Sequence, residues 1–122
     1  MIIDAKYLMD NPNHIFVFGD NIVHKGHGGA AALRDYNNTY GFITKKLPNN
    51  NDSSFFREEE YRIVYRQEIF KLRHELEAHS DKLFLISKLG AGLANRYKIF
   101  ETIIDKQIKQ DLNKYGNVKF LW

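Results

Sequence analysis

The sequence predicts an α/β fold, with helices packed on a sheet whose strands run at least partly parallel. Three observations carry that reading. Short apolar runs alternate with stretches of helical periodicity along the chain. Two of the runs, at 15–18 and 83–86, empty directly into glycine-rich loops and then into helix-forming residues. Sustained helical periodicity fills two longer segments, 58–79 and 98–114.

Taken in order, Asn11-Pro12-Asn13 ends a short N-terminal segment, and residues 15–18 (IFVF) form the first buried strand. Gly19-Asp20-Asn21 is a polar turn. Gly26-His27-Gly28-Gly29 is a loop, and a helix is expected over about 29–36 until Asn37-Asn38-Thr39 interrupts it. Residues 40–47 read as a strand with a polar end, Thr44-Lys45-Lys46. The stretch 48–54 (PNNNDSS) is a loop of residues that favour turns over ladders. From Glu58 to His79, Tyr61, Tyr65, Ile69, Leu72 and Leu76 recur at helical spacing and form one buried face. Glu68, Lys71, Arg73 and Glu75 are expected on a solvated face. After the strand at 83–86 and the loop 87–95, the helix at 98–114 buries Phe100, Ile103, Ile104, Ile108 and Leu112, and Gly116 stops it. A final strand over 117–122 places Val118 and Phe120 on one face, with Leu121 and Trp122 partly buried and the strand inside the domain.

The 122 residues are 43% hydrophobic, enough for one core but not two, so a single domain over 1–122 is expected. There is no internal repeat and no linker. The absence of cysteine excludes a disulfide framework and thiolate chemistry. Met1-Ile2-Ile3-Asp4 lacks the pattern of a signal peptide, and the longest apolar runs, about five residues, fall far short of a membrane span. A cytoplasmic, soluble protein with no membrane partner is the expectation. The net charge of +3 is spread among acids rather than gathered in a block, which makes nucleic-acid binding a lesser alternative.

The two glycine loops carry the candidate chemistry. Glycine lets backbone approach a ligand without a Cβ in the way, and unpaired N–H groups where a helix begins favour an anion such as phosphate. The first loop offers Gly26, His27, Gly28, Gly29 and Ala30; the second offers Leu89, Gly90, Ala91, Gly92 and Leu93. Neither fits the two common phosphate-loop spacings. Both loops follow strands, and in open α/β sheets ligand crevices lie outside the carboxyl ends of strands. Asn21 has donors and an acceptor suited to ribose hydroxyls, or else it caps its own turn. Asp20 is a candidate general base. Lys45 is a candidate nucleophile only where burial or a neighbouring cation lowers its pKa; otherwise it is a solvent-facing strand end or a phosphate partner. His24 and His27 have no third ligand at metal spacing, so no metal and no cofactor is expected.

These motifs resemble the macro domain family. The order of strand, asparagine turn, glycine-rich loop, helix and a late strand ending in Gly90-Ala91-Gly92-Leu93 carries the likeness, over about 14–122. VFGDN followed by HGGAAA is similar to small phage or bacterial macro-like proteins. The resemblance implies a three-layer α/β/α sandwich around a central mixed sheet. It also implies binding of ADP-ribose or a related NAD-derived nucleotide by both loops, with Asn21 facing the distal ribose. The stretch Ile43-Thr44-Lys45-Lys46 with the second loop is also similar to macro-type ADP-ribosyl glycohydrolases, whose partners are ADP-ribosylated protein or nucleic acid. There Lys45 matches the lysine that attacks the ribose. The position of the partner aspartate falls on Ala94, which has no proton to give or take. Binding is therefore expected, with lysine–aspartate turnover absent and glycohydrolase activity as the alternative.

Overall fold

The computed structural model describes residues 1–122. The chain runs α1 (Ala5–Asp10), β1 (His14–Asn21), β2 (Thr39–Lys45), α2 (Glu58–Ala78), β3 (Leu83–Ile86), α3 (Asp105–Asp111) and β4 (Val118–Phe120). It is an α/β fold with one four-stranded sheet in the order β2-β1-β3-β4. Every neighbouring pair is parallel, so the sheet is not the mixed one expected from the resemblance. The reason lies in the connections. No two strands are joined by a tight hairpin, and residues 22–38, 46–82 and 87–117 each carry the chain back to the same end. No helix is long and apolar enough to cross a membrane.

Alternation along the strands sorts the core. Ile15 and Val17 pair in register with Phe84 and Ile86, and with Tyr40 and Phe42 on the other flank they face α2 and α3. Tyr61, Tyr65, Ile69, Leu72 and Leu76 are all buried against them, as are Phe100, Ile103, Ile104, Ile108 and Leu112. The opposite face buries Phe18 and Leu85, together with Leu8 of α1 and Ala31, outside that main cluster. Asp4 caps α1 by accepting the Tyr7 N–H at 2.8 Å, and Glu58, Glu59 and Glu60 favour the N-terminus of α2.

Several expected elements differ. The helix over 29–36 is only a 3₁₀ turn, Gly29–Ala31, followed by further turns closed three residues back. Gly29 holds a left-handed φ of 54°, and glycine at the start gives the segment no propensity to propagate a helix. The helix over 98–114 is broken: a 3₁₀ turn at Asn95–Tyr97, a left-handed Lys98, a π-helical turn at Phe100–Ile104 and only then α3. Its apolar face is nonetheless buried as the spacing requires. β1 extends through Asp20 and Asn21, which are buried strand residues rather than a turn. β4 is a half-buried edge strand, not an interior one.

Glu68 departs furthest from its expected solvated face. It is 4% exposed, and its Oε1 accepts the Ile43 N–H at 2.7 Å, while its Oε2 lies 3.3 Å from Lys71 Nζ. The Tyr61 hydroxyl donates to the Ile43 carbonyl at 2.5 Å. β2 is an edge strand, so its outward peptide groups need partners. α2 supplies both at Ile43.

Candidate functional site

All four strands point the same way, so the ends of β1, β2 and β3 share one rim. The chain leaves β1 toward β2 on one side, and leaves β3 toward β4 on the other. The strand order therefore reverses between β1 and β3, which is where an open parallel sheet leaves a crevice. A cavity of about 450 Å³ opens there, within the range that holds nucleotide-sized ligands.

One wall is the loop after β1, with Gly26, Gly28, Gly29, Ala30 and Lys25; the facing wall is the loop after β3, with Lys88, Leu89, Gly90, Gly92 and Leu93. The floor is Gly19, Asp20 and Asn21 with Thr44, Lys45 and Ser87, and Pro48 and Asn50 close one side. Of the residues singled out from the sequence, His27 and Ala91 stand apart. His27 is exposed and its Nε2 lies 2.8 Å from Asp35, while Ala91 packs against the core. The sequence reading misses Lys25, Lys88 and Arg34. The two lysines stand inside the glycine loops and are legible there; Arg34 joins the site only through the fold.

The glycines divide into two kinds. Gly26, Gly29 and Gly90 have positive φ, and a Cβ on Gly90 would come 2.8 Å from Ile104 Cδ1. These three are required by the backbone. Gly28 and Gly92 have ordinary φ and open space where a Cβ would stand, one in each wall. The N–H groups of Gly26, Gly28, Gly90, Gly92 and Leu93 make no hydrogen bond within the protein.

Asp20 is 4% exposed and both carboxylate oxygens are engaged. Oδ1 accepts from Arg34 Nη2 at 2.5 Å and from the Asn21 N–H at 2.8 Å, and Oδ2 lies 2.7 Å from His24 Nδ1. Burial pushes its carboxyl up, but the Arg34 and His24 hydrogen bonds outweigh that and hold it below the usual carboxylate value. Arg34 also donates to the Gly26 carbonyl at 2.9 Å and the Lys25 carbonyl at 3.2 Å, so one guanidinium fastens the loop to the strand end. Gly41 on β2 makes room: a Cβ there would lie 2.9 Å from Asp20 Cβ and Cγ.

Asn21 donates from Nδ2 to the Lys25 carbonyl at 2.7 Å, which closes its own turn. Lys45 Nζ donates to the Asn49 carbonyl at 2.8 Å and lies 4.7 Å from the Phe55 ring centroid. Burial first, then Arg96, lowers its pKa. Lys46 turns the other way to pair with Glu60 at 2.7 Å. Ala94 is buried in the cavity wall. No three His, Asp or Glu side chains converge as metal ligands. Lys25, Lys45 and Lys88 have no carboxylate within salt-bridge distance, whereas Asp20 is neutralised by Arg34. Three lysines and unpaired amides thus line the cavity, with Lys45 Nζ held by the Asn49 carbonyl and Lys88 Nζ 5.1 Å from the Phe100 ring centroid.

Residues 1–99, which include every cavity residue, match the model of a family of unknown function, DUF7831, and the chain belongs to that family. No curated protein and no solved structure matches it.

Proposed function

We propose that this DUF7831 chain binds ADP-ribose or a related NAD-derived nucleotide in the cavity between its two glycine loops. The observation that carries the reading is the cavity itself. Two opposed loops with unpaired backbone N–H groups, three lysines and no uncompensated carboxylate form its lining. Backbone amides and lysines together suit a diphosphate, and the remaining volume suits the sugars. The placement of both loops at one rim of an α/β sheet supports a macro-like reading, while the all-parallel sheet departs from the mixed one that the resemblance implies.

Calorimetric titration with ADP-ribose, NAD, AMP and a short oligonucleotide tests the reading. ADP-ribose is expected to bind and the oligonucleotide to bind more weakly. Gly28→Phe and Gly92→Phe are the informative variants, because neither glycine has a left-handed φ and no atom lies within 4 Å of where its Cβ would stand. Each is expected to abolish binding while the melting temperature stays within a few degrees of wild type. No heat and no thermal shift with ADP-ribose at millimolar concentration refutes the proposal.

A further inference from the structure

The polar stretch 46–54 connects β2 to α2, yet it is held on three sides of the cavity. It leaves and returns at one place: the Lys46 N–H donates to the Ser54 carbonyl at 2.8 Å, and Lys45 pairs with Phe55 in an isolated antiparallel bridge. At the floor, Lys45 Nζ donates to the Asn49 carbonyl. At the first glycine wall, Pro48 lies 3.3 Å from where a Cβ on Gly26 would stand. On the far side Asp52 accepts from the Tyr97 hydroxyl and from Arg96 Nη1 at 3.2 Å, and lies 3.6 Å from Arg57 Nη2. Arg96 and Tyr97 stand just after the second glycine loop, and the Arg96 guanidinium lies 4.2 Å from the ring centroid of the buried Phe55. The stretch thus reaches from the first wall to the chain beyond the second, and Pro48 and Asn50 line the cavity on the way.

We infer that residues 46–54 form a strap that gates the cavity, with Asp52 as the pin that holds it closed and Lys45 as the group that joins strap to ligand. The inference rests on the nucleotide reading above and concerns how that ligand enters and leaves. An ammonium group has three donors, and the Asn49 carbonyl takes one from Lys45, so two remain for a phosphate oxygen. The strap and a bound anion then share one amine, and the ligand passes only while the strap is lifted. Lifting breaks the contacts around Asp52, whose side chain is 58% exposed. Exposed ion pairs are individually weak, so such an opening is local and leaves the core in place. The buried Phe55, bridged to Lys45, is the fixed end on which the strap turns. Removing the pin weakens the closed form of the free and the liganded protein alike. Entry and release therefore both quicken while the affinity holds, because only a difference between the two forms would change it.

Asp52→Ala and Tyr97→Phe test the strap in the full chain, with ADP-ribose as the probe in stopped-flow binding. Amide exchange is read alongside at Asn51, whose N–H donates to Asn49 Oδ1 at 3.0 Å, and at Ser54, whose N–H donates to the Asn51 carbonyl at 2.8 Å. Asp52→Ala is expected to raise kon and koff together, by about threefold or more, with Kd unchanged. Its melting temperature should stay within a few degrees of wild type, since Asp52 is exposed. Tyr97→Phe removes one of the pin's donors and should move both rates the same way by less. ADP-ribose should slow exchange at Asn51 and Ser54 in the wild type, and Asp52→Ala should quicken it without ligand. Unchanged rates in Asp52→Ala, a rise in koff alone with a matching loss of affinity, or exchange at Asn51 and Ser54 indifferent to ADP-ribose overturns the strap and leaves the binding site standing. Absence of ADP-ribose binding overturns the site reading, and the strap with it.

Discussion

Replacing Glu68 by Ala tests whether α2 completes the edge of the sheet. Glu68 is 4% exposed and its Oε1 is the acceptor for the Ile43 N–H at 2.7 Å, with Ile43 itself buried. The substitution strands a buried donor, at about 1–3 kcal/mol, and removes one buried methylene at about 0.8 kcal/mol, together about 2–4 kcal/mol. For a chain of this length that lowers the melting temperature by about 10 °C or more. Glu68→Gln retains an acceptor of the same size and exchanges a charge-assisted bond for a neutral one, so its cost is about 1 kcal/mol. Lys71 is the exposed partner of Glu68, and Lys71→Ala should cost under about 0.5 kcal/mol. Urea unfolding measures the three stabilities, and amide exchange at Ile43 reads the local effect. A Glu68→Ala protein within about 0.5 kcal/mol of wild type, or with Ile43 still protected as before, refutes the reasoning.

Gly41→Ala forces a Cβ onto the anchored Asp20 carboxylate, and is expected to cost about 1–3 kcal/mol and to break the Asp20–His24 contact, seen as a changed His24 imidazole spectrum. Gly90→Ala meets Ile104 and a φ of 79°, so it should cost about 1–3 kcal/mol, whereas Gly92→Ala is expected to be neutral in the same urea titration. The folded Asp20 pKa is lowered, so the stability Asp20 contributes is complete above its unfolded value of 3.8 and is lost as pH falls through the lower folded value. Acid unfolding of Asp20→Asn should therefore be less steep than that of wild type below pH 3.8.

Spacing alone locates the main core. Tyr61 through Leu76 and Phe100 through Leu112 are legible because apolar residues at helical intervals have only one stable destination. The same spacing holds the signal for Glu68, which sits three residues after Tyr65 and four before Leu72, within the buried stripe. Its charge conceals that, since the peptide group that pairs with it belongs to a distant strand. The segment 29–36 reads as a helix because alanines have high helix propensity, while the chain there is governed by Gly29 and by the reach of Arg34 to Asp20. Both glycine loops are legible as loops after strands. Which glycines the backbone needs and which stand open to the cavity depends on φ and on neighbours such as Ile104, and neither is written in a glycine-rich motif.

Arg34 connects these features. A carboxylate as buried as Asp20 is costly unless paired, and Arg34 pairs it from a side chain that is itself only 13% exposed. The same guanidinium holds the carbonyls of Lys25 and Gly26, so the neutralisation of Asp20 and the shape of the first glycine wall are one interaction. Without it the cavity floor would carry an uncompensated negative charge beside the unpaired amides of the glycine loops. With it, Lys25, Lys45 and Lys88 are the lining residues whose charge no carboxylate compensates. The proposed binding of an anion thus depends on a residue outside the cavity lining, since a chain with Asp20 but no arginine at position 34 would keep the glycine loops beside an uncompensated carboxylate.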